Sequence, residues 1–357
     1  MSSSLPPWAQ NRRLSRHLTS GTLPAFLIAT FLSWLLTPSG SLYTPNVSAV
    51  YSSLPQPQSG PSISTSIIVP TFHERDNLAP LVRATFAALP PSLASRTEIL
   101  FVDDDSRDGT EEEVARLREE GYPTVELLTR PRSAGETGLS SAVLRGFERA
   151  RGTLLVVMDA DLQHPPAAIS QLVAALGGDE DEDEDDPTLP SIALGTRYGA
   201  GVSMDANWPL YRRVISWGAR LLARPLTSAS DPMTGFFAIR KAAFLRARAL
   251  SPAGFKIALE LLLAVPSGAS HPPEVPYAFG VRTQGASKLG ARVMLKYVGQ
   301  LLRLYARWLG IWWHILVGSG VAAGVYILKR GGGRLGILRR AGLTGKRKNL
   351  LPISRLE

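Results

Sequence analysis

The chain has 357 residues, of which 45% are hydrophobic and 8% aromatic, and it contains no cysteine. This length predicts about two domains with a sizeable core. The absence of cysteine excludes a disulfide framework and a thiolate metal site. The formal net charge is +9 although residues 179–186 are eight consecutive acids. The basic segments lack interleaved stacking aromatics, so we expect no nucleic-acid partner and favour an anionic membrane.

The first segment, residues 1–63, is rich in Ser, Pro and Thr and contains one apolar run at 23–36. Fourteen residues are few for a membrane span. The run therefore predicts either a weak anchor or part of a disordered tail. Residues 46–48, Asn-Val-Ser, form a glycosylation sequon, which has meaning only if this segment is lumenal.

From residue 66 onward, short apolar runs alternate with helical patterns. We predict strands at 66–70, 98–103, 124–130, 153–158, 192–196, 235–239 and 275–279, with helices after Asn77 and over 110–120 and 138–150. This order predicts an α/β domain with a mostly parallel sheet covered by helices on both faces. Neither a dinucleotide-binding GxGxxG nor a P-loop is present. The acidic insertion, 177–188, is expected to be a solvated loop.

Polar clusters follow four of the predicted strands, at residues 70–74, 103–106, 159–163 and 195–198. Parallel strands bring such ends to one edge of the sheet, so we expect the clusters to share a cleft. The most specific cluster is Asp159-Ala160-Asp161 with Gln163, which follows a wholly apolar strand. Carboxylate and amide oxygens suit Mg²⁺ or Mn²⁺, which can also bind a diphosphate.

Several segments carry a family resemblance: IVPTFHERDNL, EILFVDDDSRDGT, TGLSSAVLRGFERARG, VVMDADLQHPP, ALGTRY, NWPLYRRVISWGA, SDPMTGFF and VPYAFGVRTQGASKLG. Across about residues 64–307 the chain resembles the inverting family 2 glycosyltransferases of the GT-A fold. The resemblance implies transfer of mannose from GDP-mannose to dolichyl phosphate with inversion. The alternatives are transfer of glucose from UDP-glucose to the same lipid, and a non-catalytic subunit that binds nucleotide and lipid.

The resemblance also implies roles for residues. The guanosine and ribose pocket would contain Pro70, Phe72, Glu74, Val102 and Asp104. The diphosphate would lie at Asp159, Ala160 and Asp161, with Mg²⁺ or Mn²⁺ on Asp159, Asp161 and Gln163, and with Arg197, Arg282 and Lys288 on phosphates. Asp159, Asp161 and Arg197 would be the catalytic residues.

The acceptor side can be argued from its chemistry. A phosphate monoester is already anionic at neutral pH, so we expect that no strong general base is required. Arg212 and Arg213 either hold this acceptor phosphate or belong to an ordinary solvated helix face. His73 and His164 are expected to be structural rather than catalytic.

The C-terminal part predicts membrane contact. Residues 289–307 fit an amphipathic interfacial helix, with Arg292, Lys296, Arg303 and Arg307 on one stripe. Residues 308–328 are apolar and long enough to span, and Gly320 and Gly324 form a GxxxG pattern that is weak support for helix pairing. The tail, 329–357, is basic. We expect the endoplasmic reticulum membrane, a catalytic domain of 64–288 facing the cytosol, and small membrane subunits as partners. Whether 308–328 spans or lies in the interface stays open.

Overall fold

The computed structural model describes residues 22–36, 42–46, 62–131, 138–178, 189–199, 202, 210–248, 250–251, 256–265, 271–280 and 291–340. The chain divides into two units. The larger unit is Ser39–Leu304, and the smaller one combines Met1–Pro38 with Tyr305–Glu357. The acidic run at 179–186 lies outside the described residues.

The larger unit contains one sheet and most of the helices. The strands are β1 (Thr65–Thr71), β2 (Thr97–Asp103), β3 (Val125–Thr129), β4 (Leu154–Val157), β5 (Ile192–Thr196), β6 (Phe237–Arg240) and β7 (Glu274–Pro276). The helices in the described residues are α1 (Thr22–Leu36), α2 (Arg75–Ala88), α3 (Pro91–Ala94), α4 (Thr110–Glu119), α5 (Leu139–Arg149), α6 (Ala168–Ala174), α7 (Leu210–Ala223), α8 (Lys241–Arg246), α9 (Ile257–Ala264), α10 (Ala291–Leu309) and α11 (Ile311–Arg340).

The sheet has the order β3-β2-β1-β4-β6-β5-β7. Strand β1 pairs in parallel with β2 and β4, and β5 pairs in parallel with β7. Strand β6 is antiparallel to both of its neighbours, β4 and β5. Because two reversals cancel, β5 runs in the same direction as β4. The mostly parallel α/β sheet is therefore confirmed, and β1, β2, β4 and β5 end at the same edge.

Helices cover both faces of the sheet, and alternate residues of each strand enter different cores. In β1, Ile67 and Val69 join the core that contains helices α2, α4 and α6. Ile68 points to the opposite core, which contains α5, α8 and α9. Central strands with apolar residues on both faces have this burial pattern. The core thereby places the polar residues of the strand ends outside it, at the sheet edge.

Helix α10 packs its first part into the larger unit. The Tyr297 hydroxyl donates to the carbonyl of Ala219 in α7 at 2.8 Å. The Gln300 side chain is fully buried. On the other side of the helix Leu295 and Leu302 are exposed. One face of α10 is thus bound to protein, and exposed apolar residues lie on another face.

Candidate active site

A cleft of about 420 Å³ opens at the edge where β1, β2, β4 and β5 end. Eight of the residues predicted for the site line it: Pro70, Phe72, Glu74, Asp104, Asp159, Ala160, Asp161 and Arg197. They come from the ends of four strands and the loops that follow, and the parallel direction of the strands brings these ends together. Non-glycine residues with a left-handed φ lie in the loops after β1, β2 and β4, namely His73, Asp105, Arg107 and Leu162. Such backbone strain in non-glycine residues is concentrated at functional sites.

The loops after β1 and β2 are held to each other by a buried carboxylate. Asp103 accepts hydrogen bonds from the backbone N–H of Ser106, at 2.8 Å, and from its hydroxyl. The Ser106 hydroxyl oxygen in turn accepts the N–H of His73 at 2.9 Å. Asp103 therefore stabilises the two loops, while the next residue, Asp104, faces the cleft.

Asp104 is positioned by a second network. Its carboxylate forms an ion pair with the guanidinium of Arg130 and accepts the backbone N–H of Gly138 at 3.1 Å. Arg130 is buried, and its Nη1 donates to the Ser141 hydroxyl at 3.0 Å. The network joins the ends of β2 and β3 to the first turn of α5. A buried ion pair of this kind orients its carboxylate firmly, because both partners have few other ways to satisfy their charge.

The Asp159–Asp161 loop presents two carboxylates in different environments. The Asp159 side chain is 44% exposed and Asp161 is 5% exposed. Asp161 Oδ1 accepts the backbone N–H of Gln163 at 3.1 Å, which tightens the turn. Both carboxylates line the cleft. Their oxygens are hard ligands of the kind that Mg²⁺ and Mn²⁺ prefer.

His164 stabilises this loop through a hydrogen bond and ring stacking. Its Nδ1 accepts the backbone N–H of Asp159 at 3.1 Å, and its ring stacks on Phe236 with centroids 5.0 Å apart. Burial lowers the pKa of His164 to about 4, against an opposing effect of Asp161. The ring is therefore neutral at physiological pH, with its proton on Nε2, as the acceptor role of Nδ1 requires. This arrangement agrees with the structural role expected for His164.

Arg197 lies at the end of β5 and is oriented by Asp231, which precedes β6. Its Nε and Nη2 donate to the two carboxylate oxygens of Asp231 at 2.7 and 3.0 Å. Burial acts to lower the pKa of Arg197, but the charge and hydrogen bonds of Asp231 outweigh it, so the pKa is raised. The guanidinium also lies over the Phe279 ring, 5.5 Å from its centroid. The cleft therefore contains a permanent, fixed cation.

Lys256 is a second cation of the cleft. Its Nζ donates to the carbonyl of Met233 at 3.0 Å. Gln300 of α10 holds its backbone, since the amide accepts the Lys256 N–H at 3.2 Å and donates to the Lys256 carbonyl at 3.1 Å. Burial, and then the charge of Arg197, lower the pKa of Lys256 to about 8. Helix α10 thus fixes a titratable cation in the cleft.

Other predicted site residues do not reach the cleft or are not described. The expectation that Val102 lines the pocket needs correction, because its side chain is fully buried in the core next to α5. The Gln163 side chain lies outside the cleft lining, and its Nε2 donates to the Gly280 carbonyl at 3.1 Å. Arg282 and Lys288 lie outside the described residues, as do the side chains of Arg212 and Arg213 on α7.

Sequence reasoning missed Asp231 and Lys256. Asp231 lies within SDPMTGFF, a segment that carries the family resemblance. That membership was the available signal for a role in the site. Lys256 has no local signal, since it is a single Lys before an apolar helix. Its position in the cleft depends on the packing of α9 and α10. Tyr277 and Phe279 also line the cleft, whereas the sequence predicted them only as part of a strand at 275–279.

Within the described part of the chain, no group of three or more His, Asp or Glu side chains is close enough to hold a metal ion. Asp159 and Asp161 nevertheless fit a divalent cation that takes its remaining ligands from a phosphorylated substrate and water. The cleft combines these carboxylates with the cations Arg197 and Lys256. Such a combination of charges can accommodate a phosphorylated ligand together with a divalent cation.

Comparison with known proteins identifies the family to which the chain belongs. The model of glycosyl transferase family 2 matches residues 66–247. The dolichol-phosphate mannosyltransferase of Mycosarcoma maydis is 52% identical over 246 residues, which cover 68% of this chain and 79% of that protein. The dolichol-phosphate mannosyltransferase of Saccharomyces cerevisiae is 47% identical over 249 residues, covering 68% and 88%.

Among solved structures, glucosyl-3-phosphoglycerate synthase from Mycobacterium tuberculosis, in complex with Mn²⁺, UDP and glucosyl-3-phosphoglycerate, is similar with a TM-score of 0.46. It is 16% identical, over 71% of this chain and 87% of that chain. The family match and the two fungal relatives show that the protein is a glycosyltransferase. This chain belongs to glycosyl transferase family 2.

Proposed function

We propose that the protein transfers mannose from GDP-mannose to dolichyl phosphate with inversion, releasing GDP. The observation that carries this proposal is the cleft, which collects eight of the residues implied by the family resemblance. The fungal relatives that cover two thirds of the chain are dolichol-phosphate mannosyltransferases. A silent binding subunit would have no need for carboxylates and cations combined in one cleft.

The nucleotide would bind to the loops after β1 and β2. The Phe72 ring offers a surface on which a base can stack. Glu74 and Asp104 offer carboxylates for ribose and base hydrogen bonds, and Arg130 keeps Asp104 in place. Val102 would contribute only through the backbone next to Asp104, since its side chain belongs to the core.

For the diphosphate, Asp159 and Asp161 would hold Mg²⁺ or Mn²⁺, and Gln163 would approach it if its bond to Gly280 opened. When bound, such an ion supplies Lewis-acid stabilisation of the departing diphosphate. Arg197 donates hydrogen bonds to the developing negative charge from a position that Asp231 already fixes, so little reorganisation is required. We propose Arg282 and Lys288 for the remaining phosphate contacts.

For the acceptor, the nucleophile is the phosphate oxygen of dolichyl phosphate, which is anionic without help from a base. Arg212 and Arg213 at the start of α7 would bind that phosphate. The exposed apolar residues of α7 and α10, including Trp217 and Leu295, would lie toward the lipid. The protein would reside in the endoplasmic reticulum membrane with its cleft in the cytosol, where small membrane subunits could join it.

The test is a direct assay. The purified full chain is incubated with Mg²⁺, a short polyprenyl phosphate and either GDP-mannose or UDP-glucose, and the sugar in the lipid phase is counted. We expect mannose transfer in the wild type and in Arg107→Gln, a variant of an exposed arginine that is not among the residues lining the cleft. We expect none in Asp159→Asn. Glucose transfer, or tight GDP binding without transfer to lipid, would contradict the proposal.

A further inference from the structure

Helices α1 and α11 pack directly against each other within the smaller unit. Ser33 Oγ lies 3.1 Å from Nδ1 of His314. A Cβ placed on Gly318 would overlap Oγ1 of Thr30 and lie 3.0 Å from the carbonyl oxygen of Phe26. Gly318 therefore allows the two backbones to approach closely, as small residues do where membrane helices cross. Gly320 and Gly324, whose GxxxG pattern was weak support for helix pairing, have nothing within 4 Å of such a Cβ.

The two helices are antiparallel. Ser33 near the end of α1 meets His314 near the start of α11, whereas the earlier Phe26 and Thr30 meet the later Gly318. The C-terminal end of α1 therefore lies beside the N-terminal end of α11. These two ends continue into residues 39–304, and the opposite ends of the pair lead to the two chain tails.

The outer surface of the pair is as apolar as its contact. Leu23, Leu27, Ile28 and Phe31 of α1 are 55 to 59% exposed. On α11 the exposed large apolar residues are Ile311, Trp312, Leu316, Val321, Tyr326, Ile327 and Leu328. Among the described residues, Ile311–Leu328 is the one helical segment long and apolar enough to cross a membrane. A helix that is apolar on all sides belongs in a core or in lipid, and most of this surface has no protein against it.

We propose that α1 and α11 enter the bilayer as one antiparallel pair, which carries both chain tails to the face opposite the connector at 37–64. The antiparallel contact places both tails at the same end of the pair. The exposed apolar surface of both helices favours lipid around that pair.

The lengths fit a pair better than two separate spans. At 1.5 Å per residue the fifteen residues of α1 measure ~22 Å, below the ~30 Å of a hydrocarbon core. A short helix is accommodated by local thinning of the bilayer or by association with a longer one. The contact through Gly318 provides that association, which explains how an apolar run too short for a reliable span can still act as an anchor.

Cross-linking tests the pairing, and the chain is suited to it because it has no cysteine. Ser33→Cys combined with His314→Cys should form a disulfide when membranes containing the full chain are oxidised. Phe31→Cys with His314→Cys is the control, because Phe31 faces outward. Failure of the first pair to cross-link, or equal cross-linking of both pairs, would overturn the pairing.

A matched pair of glycine variants tests the crossing point. In the Ser33→Cys, His314→Cys background, Gly318→Ile should slow cross-linking about tenfold because its side chain meets Thr30 and the backbone of Phe26. Gly320→Ile makes the same change at a position with open space and should leave the rate unchanged. Equal rates for the two variants would contradict the close approach at Gly318.

The membrane sidedness of the two tails is determined with glycosylation acceptor sites added before Met1 and after Glu357. Asn46, in the connector at 37–64, is the native reporter for the other end of the pair. The two added sites should always agree with each other and disagree with Asn46. Modification of one tail only, or of neither tail and not Asn46, would overturn the proposal. Modification of Asn46 with both tails unmodified would support the pair and would contradict only the cytosolic cleft of the proposed function.

Discussion

Asp231 holds Arg197 through both carboxylate oxygens, at N–O distances of 2.7 and 3.0 Å, although the two residues are 34 positions apart. Asp231 is completely buried, while Arg197 lines the cleft. The pair therefore connects the core at the start of β6 to the site at the end of β5. An arginine held in this way presents its remaining N–H groups in one direction.

We predict that Asp231→Asn lowers kcat by more than tenfold and destabilises the protein by about 3 kcal/mol, because it leaves the charge of Arg197 without its buried partner. The stability is measured by urea unfolding and the rate by mannose transfer. The control is Arg107→Gln, which removes the exposed ion pair between Arg107 and Asp105 and should leave stability almost unchanged. Similar effects of both variants would show that Asp231 does not orient Arg197.

Asp161→Asn keeps the shape of the side chain and can still accept the N–H of Gln163, but it removes the charge. We expect it to weaken Mn²⁺ binding in the presence of GDP by at least about tenfold and to abolish metal-dependent transfer. The Mn²⁺ affinity is measured by electron paramagnetic resonance, in which the signal of free Mn²⁺ is lost on binding. Asp76→Asn, the same change on the exposed side of α2, should have no effect. Unaltered Mn²⁺ affinity in Asp161→Asn would remove this residue from the metal site.

The lowered pKa of Lys256 predicts a pH dependence of donor binding. Lys256 is cationic below about pH 8 and neutral above it in the free protein. A diphosphate favours the cation, so the affinity for GDP-mannose should fall by up to about tenfold per pH unit above pH 8. Calorimetry in buffers of different ionisation enthalpy should show proton uptake on binding at pH 9.

Three variants separate this effect from other titrations. Lys256→Arg should move the fall in affinity to higher pH, and Lys256→Met should remove it. Lys296→Met changes an exposed lysine of α10 and should retain the wild-type profile. If the profile of Lys256→Met matched that of the wild type, the alkaline limb would belong to another group.

Two helical glycines should respond oppositely to the same substitution. A Cβ on Gly146 of α5 would lie 2.5 Å from Cγ2 of Ile68, so Gly146→Ala should destabilise the protein by about 1–3 kcal/mol through overpacking. Gly218 of α7 has nothing within 4 Å, and Gly218→Ala should stabilise by about 0.5–1 kcal/mol. Urea unfolding of both variants checks the sign. Destabilisation by both would indicate that α7 is packed more tightly than described.

The local pattern was sufficient to predict the sheet and most of the cleft. A strand such as β4 is apolar along its whole length, which is possible only with both faces covered. Acids that directly follow such a strand must then emerge at its end, and parallel strands share that edge. The sequence pattern alone therefore predicts that Asp104, Asp159 and Arg197 share one cleft.

Sequence by itself could not determine contacts between segments that are far apart in the chain. The reversal of β6 depends on how the chain returns from α7, and the position of Lys256 depends on α9 and α10. Val102 lies in the core rather than the cleft because it is still inside β2, where helices cover both faces of the sheet. Likewise, Gly320 and Gly324 matched a pairing motif, but the close approach falls at Gly318, because the rotation of α11 toward α1 is set by packing against Phe26 and Thr30.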